Sequence, residues 1–496
     1  MRDKGELGAC THKLNVARRI FVPYLLCLSL LASVGSYGQE PRIVDPPVTR
    51  PEFNLIRFDE DWSVLQHPEL RTDYLDAIKY IPLPEPGSYL SIGGEFRGVF
   101  ERLRNDNWSP LPYEVNSFGL QRYMLHLDAH LNPHVRLFVQ LESGIEQGRP
   151  AGPRPIDAKR LDFLNAFVDY RPSVKKSSPQ FRVGKQEMQF GAGRLISVRE
   201  GPNIRQGFFG FRADEAIDKW NLTGFAVKPA EDNYGYFDDG PTGAESLWGV
   251  QATRDWNHVQ HYQLNPYYYG LDRKTATFQQ GTGHELRHVV GARFLADPPQ
   301  QTEGRRTVTH SDLEATFQTG RFGNNEIRAW GLATENGIGF PRLPMFPKLG
   351  LHADASSGDQ DPKQGRLQTY NALFPNGNYF GIFADTGPGP VNYRDLRPDL
   401  IFSPRRSLTI TFDELLWWRS SLKDGVYNIP GDLIVPAGRS QARFVGHRPG
   451  IEAYWQVNRH VYIQSDYGVF LAGPFLRESG MAHNLVYTSV WLGYKF

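Results

Sequence analysis

Val486-Tyr487-Thr488-Ser489-Val490-Trp491-Leu492-Gly493-Tyr494-Lys495-Phe496 closes the chain. Successive side chains of a strand point to opposite faces. Val486, Thr488, Val490, Leu492, Tyr494 and Phe496 therefore share one face, and Ser489, Gly493 and Lys495 the other. A strand that runs to the carboxylate and ends on an aromatic, oily on one side, matches the closing strand of a bacterial outer-membrane barrel.

The same alternation recurs upstream as far as Pro86-Gly87. Leu90, Ile92, Gly94, Phe96, Gly98 and Phe100 share a face opposite Ser91, Glu95, Arg97 and Glu101. Tyr123, Leu125, Leu127, Ala129 and Leu131 oppose Arg122, His126, Asp128 and His130; Val135, Leu137, Val139 and Leu141 oppose Arg136, Gln140 and Glu142. Further on, Leu286, Val290, Ala292 and Phe294 stand against Glu285, Arg287 and Arg293, and Leu313, Ala315 and Phe317 against Asp312, Glu314 and Gln318. Ile327 to Thr334 has no clear phase. A soluble β-sandwich also alternates, so the terminal strand and the secretory leader described next turn the reading to a membrane barrel. In lipid every backbone polar group must be paired, so these strands are expected to close into a ring.

Lys13, Arg18 and Arg19 precede an apolar stretch from Ile20 to Val34 and the small-residue site Ser36-Tyr37-Gly38. That is the layout of a signal peptide, residues 1–38, cleaved before Gln39. Residues 39–87, with Pro41, Pro46, Pro47, Pro51, Pro68, Pro82, Pro84 and Pro86, read as an irregular periplasmic leader with one short helical piece around Thr72 to Tyr80. Cys10 and Cys27 both fall in the signal, so the expected mature chain carries neither a disulfide nor a cysteine metal site. Mean hydropathy is −0.47, and no internal run approaches the ~18 to 20 apolar residues of a membrane helix. The formal charge of +1 argues against a nucleic-acid partner.

Residues 88–496 are thus read as one all-β domain, a closed antiparallel transmembrane β-barrel. At roughly 20 to 25 residues per strand with its share of connections, the count falls between 16 and 20, with an even 18 at the centre. Such a ring is wide enough for an aqueous channel. Arg97, Arg122, Arg136, Arg287 and Arg293 lie on the polar faces of their strands. A guanidinium is always charged and grips carboxylates through paired hydrogen bonds, so these residues are candidates for an anion path. Glu95, Glu101, Asp128, Glu142, Glu285 and Glu314 share those faces, which leaves pairing across the wall as the alternative role.

Several segments together resemble the alginate-export family of outer-membrane proteins: Gly184-Lys185-Gln186 with Gly193-Arg194, Val198-Arg199-Glu200-Gly201-Pro202-Asn203-Ile204-Arg205, Tyr267-Tyr268-Tyr269-Gly270-Leu271-Asp272-Arg273 and Arg287-His288-Val289-Val290-Gly291-Ala292-Arg293. The longest runs from Ser357-Gly358-Asp359-Gln360-Asp361-Pro362 to Asn378-Tyr379-Phe380-Gly381. The resemblance implies an 18-stranded barrel with an arginine-rich lumen, partly occluded by its own loops, that conducts an acidic polysaccharide such as alginate. It adds Arg194, Arg199 and Arg205 to the candidate substrate path. Lys185 stands where the family leads us to expect arginine. A general or small-anion-selective porin is the alternative, and an outer-membrane hydrolase a third reading.

His284-Glu285-Leu286-Arg287-His288 fits the zinc-protease pattern, which requires both histidines on one helical face. In a strand they stand about 13 Å apart at ~3.3 Å per residue, too far for one zinc. His126 and His130 fail for the same reason. Asp354, Asp359 and Asp361 are weak calcium candidates, better read as turn formers. The reading calls for no cofactor and no enzymatic activity. The partners it calls for are outer-membrane lipid and lipopolysaccharide, the barrel-assembly machinery and a periplasmic polysaccharide-export partner, in the outer membrane of a Gram-negative bacterium.

Overall fold

A computed structural model describes residues 50–108, 115–174, 177–257, 260–298, 304–380 and 387–496. The expected signal peptide with its two cysteines, leader residues 39–49, and Gly381 of the family segment lie outside these.

Eighteen antiparallel strands form the wall. They are β1 (Tyr89–Arg104), β2 (Val115–Asn132), β3 (Val135–Gln147), β4 (Lys159–Tyr170), β5 (Gln180–Glu187), β6 (Gly207–Ile217), β7 (Trp220–Glu231), β8 (Glu245–Asn257) and β9 (His261–Phe278). The ring continues with β10 (Gly281–Asp297), β11 (Val308–Phe322), β12 (Asn325–Gly339), β13 (Lys348–His352), β14 (Tyr393–Arg405), β15 (Leu408–Arg419), β16 (Phe444–Gln456), β17 (Val461–Ala472) and β18 (Leu485–Lys495). β18 pairs back onto β1, from Glu95 opposite Lys495 to Arg104 opposite Val486. The terminal strand read from sequence therefore closes the ring and removes both edges.

The expected phases hold. Val250, Tyr268, Val290, Phe317 and Trp330 stand opposite one another on five successive strands, and Val290 and Phe317 are among the most exposed apolar residues, Phe317 at 67%. This row is the lipid-facing band. Near one rim Trp256, Tyr262 and Phe294 stack with centroids 5.7 and 6.1 Å apart, an aromatic girdle of the kind found at membrane interfaces. Phe317→Arg should therefore cost about 2 to 4 kcal/mol at mid-bilayer depth and abolish the heat-modifiable band of the assembled barrel on a gel. Thr411→Arg, on the lumen side, should leave that band intact.

Connections on the side of the barrel ends are short, as at 133–134, 218–219, 406–407 and 457–460, whereas those on the other side include 188–206, 353–392 and 420–443. Short turns mark the periplasmic side and long loops the outer side. β13 is only one short pairing, so Ala355–Ser356 and Arg366–Leu367, from the connection beyond it, take its place beside β12. The described part of the leader turns through short 3-10 segments at Arg57–Asp59, Ser63–Gln66 and Pro68–Leu70 and one helical turn at Asp76–Lys79. It lies against the periplasmic mouth.

Candidate functional site

The lumen is not an empty tube. Connection 188–206 folds into it and is zipped to connection 353–392: Phe374 N–H donates to Leu195 O at 2.8 Å, Asn376 N–H to Gly193 O at 2.8 Å, and Ser197 Oγ to Phe374 O at 3.1 Å. Phe374 packs edge-on against Phe208. Buried backbone carbonyls in such an insert need donors, and the arginines of the wall supply many of them.

Every arginine expected along the anion path is engaged by a partner within the protein, a carbonyl, a carboxylate or an amide oxygen. Arg97, fully buried, donates to Glu200 O at 2.7 Å and Pro202 O at 2.9 Å and stacks on Trp491. Arg122 bridges Glu95 at 2.7 Å and Glu200 at 2.5 Å. Arg205 binds Glu200 and Glu187 and donates to Leu55 O of the leader at 2.9 Å. Arg136 grips Asp128 with two nitrogens, 2.7 and 2.8 Å, and Phe58 O at 2.7 Å. Arg194 joins Asp312 and Glu314 at 3.0 and 2.9 Å, while Arg293 holds Asp312 at 2.7 Å. Arg287 pairs with Glu285 at 2.5 Å and donates to Thr369 O at 3.2 Å. Arg199, in a left-handed conformation at φ 53°, donates to Gln206 at 3.1 Å. The guanidiniums of Arg97, Arg122, Arg136, Arg287 and Arg293 face inward, as their strand phases implied, but with Arg194 and Arg205 they stand in a lattice of paired charges that pins the inserted loops.

Glu200 is the hub of that lattice. Burial works against its ionisation, but Arg122, Arg205 and Arg97 overcome this and hold the carboxyl well below the ordinary range. Three residues on, Asn203 donates three times: its backbone N–H to Asp157 Oδ1 at 3.0 Å, and Nδ2 to Gln121 O and Asp157 O at 2.9 Å each. Lys185, where arginine was expected, donates to Asp239 at 2.7 Å.

What remains open is a chamber of about 710 Å³ against β10 to β18, running from the periplasmic rim to Asn378 and Gly201 of the inserts. Its cations are Lys348, Arg397 and Arg448, with His310 and His352; its carboxylates are Asp297, Glu335, Asp399, Asp413, Glu452 and Asp466. Arg448 is committed to Asp413 at 2.5 Å. Arg397 donates to His352 Nδ1 and Tyr379 O, both at 2.8 Å, and among the described residues neither it nor Lys348 forms an ion pair. Register sets Lys348 opposite Ile401 at the rim and His352 opposite Arg397 deeper in, about 13 Å apart along the wall at ~3.3 Å per residue. Two cations thus stand one above the other beside acceptor oxygens. Sequence reasoning missed both, although Asp395, Arg397 and Asp399 alternate against Leu396 and Leu400.

The metal readings fare differently from one another. His284 bonds Asp272 and His288 bonds Tyr268 on the outer face of β10, so the two are not ligands to a common ion. Asp354, Asp359 and Asp361 are not gathered into one site: Asp354 accepts from Thr334 N–H at 2.9 Å, whereas Asp359 accepts from Asp361 N–H at 3.0 Å. Among the described residues, the carboxylates that do converge are Asp162, Asp238 and Asp239, and Asp239 is already bound by Lys159 and Lys185.

The family model for alginate export matches residues 88–486, the whole wall but its last residues. The chain belongs to the alginate-export family. As a member, it is a transport barrel of the Gram-negative outer membrane. Solved structures with the same fold include Pseudomonas aeruginosa OpdO, at TM-score 0.56 and 11% identity over 84% of this chain and 98% of that one. Acinetobacter baumannii OccAB3 gives TM-score 0.56 and 10% identity over 82% and 99%. Pseudomonas aeruginosa OccK2 (OpdF), in complex with glucuronate, gives 0.52 and 10% over 82% and 96%. No curated protein matches the chain.

Proposed function

We propose that this alginate-export family member is a passive channel for polyhydroxylated carboxylates of the uronate class, taken up or released as short saccharides. The observation that carries the reading is the pair Lys348 and Arg397, charged and without a carboxylate partner among the described residues, in the chamber against β10 to β18. A uronate presents one carboxylate and several hydroxyls. The guanidinium and ammonium suit the carboxylate, and the surrounding Asp and Glu oxygens accept hydroxyl donors. A chamber of about 710 Å³ is the size of a site for a small organic solute, which favours short saccharides over a wide polymer path. Alginate is itself built of uronates, and OccK2, of the same fold, was crystallised with glucuronate.

The surplus of carboxylates in the chamber favours a second reading, a general porin that also passes small cations. Planar-bilayer recordings separate the two. With glucuronate added, current through single channels should be interrupted at millimolar concentration, and glucose at equal concentration should interrupt it at least tenfold less often. Equal interruption by both sugars would discard the uronate reading in favour of the general porin.

A further inference from the structure

The leader does more than trail from the barrel. Arg57, almost fully buried, donates from Nη1 to Gly94 O at 2.9 Å and from Nη2 to Phe496 O at 2.8 Å, so it clamps the seam where β1 meets the chain end. Phe58 enters the lumen edge-on to Phe138 and Phe167, centroids 5.7 and 5.1 Å away, under the Arg182 guanidinium at 4.2 Å. Its carbonyl takes the Arg136 bond and that of Leu55 the Arg205 bond. Asp73 bonds His460 at 2.8 Å at the rim. Yet apart from Ile81–Pro82, beside Leu90 and Tyr89, no described residue of the leader joins the sheet, and the ring closes without it.

We propose that Arg50 to Tyr80 is a built-in plug of the periplasmic mouth, seated by Arg57 and Phe58, whose departure opens a second path along β1 to β6. This goes beyond the chamber, which lies against the other side of the wall, and does not depend on what solute the chamber takes. The segment after Tyr80, with Pro82, Pro84 and Pro86 before Gly87 at φ 77°, is the hinge on which it would swing.

The seat also contains a proton-sensitive group. Lys79 is fully buried with no hydrogen-bond partner for Nζ, which lies 4.9 Å from the Trp62 ring centroid, 5.4 Å from Phe53 and 6.0 Å from Phe496. A side chain at Gly93 would collide with Nζ and with the His126 ring, so glycine there leaves room for the pair. The groups that face the amine are Arg57, Glu60 and Asp76 from the leader and His126 and Asp128 from β2. Burial, helped by Arg57 and opposed by the three carboxylates, lowers the amine to about 7 from 10.5. In a released leader the amine regains its ordinary value. Between these values the released form holds the extra proton, so docking strengthens as pH rises from about 7 to about 10, and this group contributes no pH dependence below about 7.

Single-channel recording of the mature protein tests this. In wild type, excursions to a larger conductance should become about tenfold rarer per pH unit from 7 to 10; Lys79→Met should erase that slope. Arg57→Ala with Phe58→Ala, and separately deletion of residues 50–80, should at least double the time-averaged conductance. The proposal is overturned if either variant assembles a heat-modifiable barrel of unchanged conductance, or if neither assembles, which would make the segment a structural part of the wall. A slope that persists in Lys79→Met overturns the proton-sensitive seat.

Discussion

Arg397→Ser should weaken glucuronate binding by about 10- to 100-fold, since a hydrogen bond to a charged group contributes roughly 1.5 to 3 kcal/mol. The loss should appear as shorter residence: Arg397 stands deep in the chamber beside His352, and deep charge contacts govern dissociation. Arg397→Lys keeps the charge but not the fork and should recover part of the effect. Lys348→Ser should act differently. Its side chain bonds nothing among the described residues and sits at the rim, so its removal should slow capture several-fold and leave residence time alone. Because a rim charge is screened, that slowing should fade between 0.1 and 1 M salt, where the Debye length falls from about 10 to about 3 Å. Current interruptions in planar bilayers give both rates. Unchanged rates in both variants would remove these residues from the solute path.

The second large effect is expected at the hub of the lattice. Glu200→Gln leaves Arg97, Arg122 and Arg205 without the carboxylate they share. Breaking a buried ion pair from one side costs about 3 to 5 kcal/mol, enough to release connection 188–206 while the wall remains. Larger, noisier conductance should result, and the reversal potential in a salt gradient should move towards anions, because one negative charge is removed from among three guanidiniums, of which only Arg122 and Arg205 keep another carboxylate. Glu200→Asp should be intermediate. The pH response follows from the same group. Its carboxyl is held well below the ordinary value of 4.5, so its contribution is complete above 4.5 and is lost only as pH falls through the depressed value. The hold of Glu200 on connection 188–206 should therefore stay complete from pH 7 down through 4.5. A Glu200→Gln channel with native conductance and selectivity would show that the loop is held by other means.

Much of the barrel could be read from the chain. Phases assigned to the stretches around Arg97, Arg122, Arg136, Arg293 and Asp312 place each residue on the face where the structure has it, because lipid on one side and water or charge on the other imposes a period of two. Where that contrast fails, so does the reading. Ile327, Ala329, Gly331 and Ala333 face inward yet are apolar, since the long insert covers them: Leu367 pairs beside Ile327, and the Tyr370 ring lies over Gly331, where a side chain would collide. Trp330 and Leu332 face lipid and are apolar as well. A strand oily on both faces carries no phase, which is why Ile327 to Thr334 gave none.

The sequence by itself determined the ring, its closing strand and the inward direction of the arginines, because these follow from side-chain alternation and from the demand that lipid leave no backbone group unpaired. Only the tertiary structure decided what those arginines do. Whether a lumen guanidinium is free or neutralised depends on carboxylates and carbonyls brought in from distant connections, as Glu200 is to Arg97, 103 residues away, and Thr369 to Arg287, 82 residues away. No local pattern records such pairings. The same holds for the leader, whose seat is built jointly by Arg57 and by the backbone carbonyl of the last residue, Phe496, 439 positions away.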